Sequence, residues 1–195
     1  MSYDPELFAA GVVYSTLQPL FGSDGMYFGV MYTISMGLDA FDGMLARAYD
    51  QCSKFGYYAD MIIDRISSIT ALLYAAKALQ DQNHPYAPLL VPLFYFCILF
   101  VEVLAHGVVC YFAEYMGVHQ KLLGHQFAVV RLYLDNRIIL SLACIAYEAL
   151  PLAIIAQVPY LPAIVLPGFV FRAVANTARL YACAITDLKV DGKTK

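Results

Sequence analysis

Residues 37–65 read GLDAFDGMLARAYDQCSKFGYYADMIIDR. Asp39, Asp42, Asp60 and Asp64, together with Arg47 and Arg65, stand here inside a chain that otherwise has the composition of membrane. A carboxylate at the centre of a bilayer costs about 2.5 kcal/mol or more, so four of them within 26 residues call for a strong compensating partner. Asp39 and Asp42 are three apart and Asp60 and Asp64 four apart, the spacings at which a helix presents one face. Two helices that each offer two carboxylates, joined by a short polar turn, form a plausible cage for hard divalent cations.

The composition sets the medium. At 195 residues the chain is one domain by length. Its apolar fraction is 61%, its charged fraction 14% and its mean hydropathy +0.63, whereas a soluble domain is about half apolar and about a quarter charged. The apolar excess gathers in blocks of about 20 residues, enough to cross about 30 Å of hydrocarbon as a helix. An all-α polytopic membrane protein is therefore expected, as a single domain over 1–195. With a net charge of −3 and no basic tract, nothing points to nucleic acid. The five cysteines show no CxxC pair or metal-ligand spacing and read as small buried apolar residues. The N-terminus carries neither a basic run nor a small-residue cleavage site, so the first helix is expected to act as its own insertion signal.

Six spans are expected: 7–21, 26–47, 56–79, 89–112, 138–157, and a last one from beyond 158–162 to 185. Turn signals separate them at Gly22-Ser23-Asp24-Gly25 and at the loop 80–85, where Pro85 and Pro88 mark a helix boundary. The most polar interior segment is 114–137. Arg47, Lys54, Lys121, Arg131, Arg137, Lys189, Lys193 and Lys195 fall on one side of this arrangement and Lys77 on the other, which orients the termini and the carboxylates toward the cytoplasm.

Helix periodicity elaborates the cage. Asp39 shares a face with Asp42, Gly43 and Ala46, and Gly56, Asp60 and Asp64 form a stripe at intervals of four. Carboxylates beside residues with little side chain let a bulky ligand approach the backbone, which suits a nucleotide diphosphate bridged by cations. Aspartate ligands favour Mg²⁺, Mn²⁺ or Ca²⁺ over zinc, and a pair of ions could clamp both oxygens of a phosphoryl transfer. Two other readings compete: aspartates solvated at the interface with Arg47 and Arg65 as local partners, and an ion-translocating site. Arg47 either contacts the diphosphate or pairs with an aspartate. Arg131 and Arg137 either bind acceptor or lipid phosphate, or snorkel at a helix start. His106 is either hydrogen-bonded to Glu102, four residues before it, or part of an acceptor pocket. Glu148, the lone carboxylate of its span, is expected to have an interior structural partner.

The pattern Asp39-x-x-Asp42-Gly43-x-x-Ala46-Arg47, then eight residues, then Gly56-x-x-x-Asp60-x-x-x-Asp64 resembles the signature of the CDP-alcohol phosphatidyltransferases at every fixed position and spacing. The resemblance implies six transmembrane helices, two bound Mg²⁺ or Mn²⁺ ions, and transfer of a phosphatidyl group from a CDP-linked lipid to an alcohol with release of CMP. It implies that Asp39, Asp42, Asp60 and Asp64 are the metal ligands and that Asp64 is also the base for the acceptor hydroxyl. Gly43, Ala46, Arg47 and Gly56 would then line the CDP-lipid pocket. Within the family, 37–43 is similar to eukaryotic phosphatidylinositol synthases, with looser echoes at Glu102, His106, Arg131, Arg137 and Glu148. That similarity implies CDP-diacylglycerol and myo-inositol as substrates, an endoplasmic reticulum or Golgi membrane, and a possible homodimer.

One departure stands at the entrance to the first helix. Family members usually carry an Asn and an Arg there with a Ser or Thr between, whereas this chain has Asp4-Pro5-Glu6-Leu7, so either a missing N-terminal segment or a divergent nucleotide contact is expected. The alternatives are the same transfer to glycerol 3-phosphate, serine or inositol phosphate, and a small cation transporter built on the same aspartates. The carboxylate pattern yields a first prediction. Chelating divalent ions should stop phosphatidyl transfer by the purified protein, and adding back Mg²⁺ or Mn²⁺ should restore it; transfer that continues in chelator would remove the ions from the reaction.

Overall fold

Hydrocarbon has no water to pair a backbone amide, so a chain crossing it must satisfy those groups within one segment, and helices do so. The computed structural model describes residues 25–49, 53–117 and 122–191, without the side chains of 25–27, 39–40, 42–44, 46–47 and 187–191. The described residues form helices α1 (Gly25–Ala48), α2 (Lys54–Asp81), α3 (Ala87–Phe96), α4 (His106–Met116), α5 (Ala128–Asp135), α6 (Arg137–Ile155) and α7 (Leu161–Asp191). A π-helical segment, Cys97–Ala105, joins α3 to α4, so that Ala87–Met116 runs as one rod. There is no strand among the described residues.

Local chemistry sets the boundaries. Ser53 caps α2 by accepting from the Gly56 N–H at 2.9 Å, and Asn136 caps α6 by accepting from Ile138 and Ile139. The α3 helix begins with Pro in its first turn, where no amide donor is needed. Gly117 ends α4 in the left-handed region at φ 63°, which glycine adopts without steric cost. Between α6 and α7 the chain reverses through Gln157 and Tyr160, both at positive φ.

Three described helices are long and apolar enough to cross a membrane: Ala87–Met116, Arg137–Ile155 and Leu161–Thr186. Of the six expected spans, 7–21 lies outside the described residues. The second corresponds to α1, which contains the shorter apolar helix Phe28–Leu38. The third corresponds to α2, which has the length at 28 residues but carries Asp60, Asp64, Arg65 and Lys77. The segment 114–137 contains α5, a short helix not expected from hydropathy alone.

Packing follows the solvent. Along α6, Ile138, Leu142 and Ile145 form an exposed apolar stripe, while Tyr147, Leu150 and Ile154 on the same helix are buried. Glu102, Glu148, Arg172, Asn176 and Arg179 are buried too. Apolar residues outside and charged ones inside is the arrangement that lipid favours. The α6 helix lies against α2 and α7, and α7 closes on it at Gly168. A Cβ there would stand 2.6 Å from the Ala146 Cβ. In the core, Tyr147 stacks on Phe169 at 4.5 Å and Phe28 of α1 on Tyr74 of α2 at 4.8 Å.

Because the Ala146 methyl cannot rotate away, Gly168→Ala should force α6 and α7 apart. The expected cost is about 1–3 kcal/mol, read as a lower melting temperature of the detergent-solubilised protein. A melting temperature equal to that of the parent would mean that the two helices tolerate the separation.

Candidate active site

The α2 stripe of Gly56, Asp60 and Asp64 extends one more turn, to Ser68, and Ser67 stands beside it. It runs from the exposed start of the helix into the bundle: Asp60 is exposed, the Asp64 side chain is 43% exposed, and Ser68 is buried. At Asp64 the stripe reaches a cavity of about 220 Å³ whose walls include Tyr32 of α1, Ser67 and Ser68 of α2, Glu148 of α6 and Arg172 of α7.

Two buried charge networks flank Asp64. In the first, Glu148 accepts from Tyr32 Oη at 2.6 Å, from Ser68 Oγ at 2.8 Å and from Arg172 Nη1 at 3.2 Å. Arg172 also lies over the Tyr147 ring at 4.1 Å, a cation–π contact away from water. Asn176 donates to the Arg172 carbonyl at 3.0 Å and accepts from Arg179 at 3.3 Å, so the polar ladder continues up α7. In the second network Arg65 is the hub. It donates to Glu102 at 2.7 Å, contacts His106 Nε2 at 3.0 Å and reaches Asp64 Oδ2 at 3.4 Å. His106 Nδ1 is 2.6 Å from the Val101 carbonyl and must donate to it, which leaves Nε2 as the acceptor for Arg65.

The sequence-derived candidates separate on this geometry. Asp60 and Asp64 follow one another along α2, and Asp64 lines the cavity. Asp39, Asp42, Gly43, Ala46 and Arg47 lie on α1, but their side chains fall outside the described residues. The N–H of Gly56 serves the Ser53 cap, and a Cβ on Gly56 would come within 3.1 Å of the cap's hydroxyl. His106 and Glu102 do not bond to each other; Arg65 bridges them. Arg131 and Arg137 are exposed and line an open groove with Asp135 and Asn136 where α5 meets α6; neither lines the Asp64 cavity. Near that groove His125 pairs with Asp135 at 2.9 Å.

Tyr32, Ser67, Ser68 and Arg172 were not among the sequence-derived candidates, whereas the interior partner expected for Glu148 is present as Tyr32, Ser68 and Arg172. A signal existed for two of the four. Ser68 continues the interval of four, and an arginine within the apolar block 163–185 is the kind of intramembrane charge that seldom lacks a function.

Among the described residues no three metal-binding side chains converge on one point. The donor chemistry nevertheless fits a hard divalent cation, because Asp60 and Asp64 offer carboxylate oxygens one helical turn apart with space beside Asp64.

The family model described as CDP-alcohol phosphatidyltransferase matches residues 8–188. The chain belongs to the CDP-alcohol phosphatidyltransferase family. Members of this family generally use divalent cations, and the family together with the three apolar helices makes the chain an integral membrane protein. It is similar to CDP-diacylglycerol–inositol 3-phosphatidyltransferase 1 of Arabidopsis thaliana, 30% identical over 63% of this chain and 51% of the relative. It is also similar to the CDP-diacylglycerol–inositol 3-phosphatidyltransferases of Candida albicans, 26% identical over 83% of this chain and 70% of the relative, and of Saccharomyces cerevisiae, 28% identical over 84% and 74%. The chain spans about half the length of the Arabidopsis relatives it matches. No solved structure matches it.

The Arg65 hub generates a stability prediction for this family member. The Glu102 side chain is fully buried, so Arg65→Met strands a carboxylate and should cost about 3–5 kcal/mol. Replacing both residues by methionine should recover much of that loss. Thermal melting of the three proteins in detergent measures it, and equal melting temperatures for parent and Arg65→Met would mean that the pair carries no stability.

Proposed function

We propose that this chain transfers the phosphatidyl group of CDP-diacylglycerol to myo-inositol, giving phosphatidylinositol and CMP. The observation that carries the choice of acceptor is the charge balance of the cavity beside Asp64. Its lining contains two arginines, Arg65 and Arg172, and two carboxylates, Asp64 and Glu148. Each arginine already contacts a carboxylate, Arg65 at Asp64 and Glu102, and Arg172 at Glu148. A cavity balanced in this way suits a neutral polyol better than a phosphorylated acceptor, which would need uncommitted cations. The Tyr32 and Ser68 hydroxyls, whose protons go to Glu148, keep lone pairs that can accept from an alcohol, and the Ser67 hydroxyl lines the same space. At about 220 Å³ the space is smaller than the roughly 300–1,000 Å³ of sites for drug-sized ligands, in keeping with a small acceptor. The names of the matching relatives support the same acceptor.

Asp39, Asp42, Asp60 and Asp64 would hold two Mg²⁺ or Mn²⁺ ions, which when bound neutralise the carboxylates and the diphosphate. Gly43, Ala46, Arg47 and Gly56 would take the CDP end, and the excess of basic residues in the sequence on this side supports a site that faces the cytoplasm. A hydroxyl seated in the cavity lies beside Asp64, whose carboxylate can accept its proton as the oxygen attacks. The new bond forms between that oxygen and the phosphorus bearing the diacylglycerol. The bond from this phosphorus to the bridging oxygen breaks, and CMP leaves with the electron pair. The Arg65 contact restrains the Asp64 carboxylate at the cavity wall.

Purified protein supplied with CDP-diacylglycerol, Mn²⁺ and a panel of labelled acceptors should make labelled lipid from myo-inositol and release CMP. Labelled lipid from serine or glycerol 3-phosphate alone would overturn the acceptor, and cation flux in liposomes without CDP-lipid turnover would overturn the enzyme. Asp64→Asn should lower turnover by about 10²-fold or more while the protein stays folded and inserted.

A further inference from the structure

The cavity's neutrality depends on one residue. We propose that Glu148 sets the charge of the acceptor: by holding Arg172 it closes the cavity to phosphorylated alcohols and leaves it open to neutral polyols. This rests on the reading of the cavity as the acceptor site, and it assigns the selectivity of that site to a residue that need not touch the acceptor.

Arg172 is suited to bind a phosphate. It is 4% exposed and lines the cavity wall, with one face on the Tyr147 ring and its backbone carbonyl tied to Asn176. Its Nε is buried with no hydrogen-bond partner among the described residues, so the guanidinium has more donor capacity than its present contacts use. A planar fork of donors in a site of low dielectric is the group that recognises phosphate oxygens in pairs. What occupies its Nη1 instead is the Glu148 carboxylate at 3.2 Å.

Glu148 has little capacity left for a substrate. Oε2 accepts from Tyr32, and Oε1 accepts from both Ser68 and Arg172. It therefore acts through Arg172, as a positioning residue, and its negative charge repels an incoming phosphate in addition to occupying the arginine. A tether without this role would affect all acceptors alike when altered. A charge selector would affect them in opposite directions.

The experiment compares kcat/KM for myo-inositol and for inositol monophosphate with CDP-diacylglycerol held constant. Glu148→Gln keeps the side chain's shape and one carbonyl oxygen while removing the charge, and the hydroxyl that meets the amide NH2 can turn to accept from it. The ratio of phosphorylated to neutral acceptor should rise at least tenfold. A folded Glu148→Gln protein with an unchanged ratio overturns the proposal. Ile145→Lys provides a second arm: Ile145 lines the same cavity and precedes Glu148 by three positions, so a lysine there comes within reach of the Glu148 carboxylate and competes with Arg172 for it. It should raise the ratio as well, and an unchanged ratio overturns the proposal even where Glu148→Gln fails to fold. Failure of the parent protein to make lipid from myo-inositol would instead strike the proposed function, whichever way the variants move.

Discussion

The bundle depends on a carboxylate that no water reaches easily. Glu148 lies on α6, and its three donors come from three other helices: Tyr32 from α1, Ser68 from α2 and Arg172 from α7. A buried charge left unpaired costs several kcal/mol, so each donor that closes on Glu148 lowers that cost and fixes one helix against the others. In lipid this matters more than in water, because tails outside the bundle are as apolar as the side chains inside and burial alone drives association weakly. A polar knot with four helices in it supplies directionality that leucine and isoleucine cannot.

The second knot, around Arg65, uses the same helix as the first. Arg65 and Ser68 are three positions apart on α2, one tied to Glu102 of the π-helical segment and the other to Glu148 of α6. Asp64 precedes Arg65 on α2 and is itself in contact with it, so its carboxylate belongs to the Arg65 network.

Much of this was legible in the sequence, and the part that was not has a physical reason. The helical class and the breaks at 80–85 and 158–162 follow from local rules of hydropathy and turn chemistry, which act over a few residues. The stripe Gly56–Asp60–Asp64 is equally local, and α2 places it along one face. Arg172 and Glu148 are different. They are 24 positions apart and neither has a partner of opposite charge one turn away on its own helix, so each alone looks like an unexplained charge in an apolar block. Their pairing is a fact about how α6 and α7 are rotated, and a single sequence carries no direct record of that rotation. The same holds for Arg65 and Glu102, which are 37 positions apart and meet across α2 and the π-helical segment.

That segment also explains a histidine. A π-helix has a wider turn than an α-helix and leaves some of its carbonyls poorly engaged, which hydrocarbon penalises. The imidazole of His106 fills such a gap by donating to the Val101 carbonyl five residues back. Its other nitrogen then has to accept, and the neighbouring guanidinium of Arg65 answers. Position 106 therefore serves the main chain, whatever the acceptor. A descendant of this protein that changed its alcohol would still face the demand of that carbonyl, because it comes from the backbone.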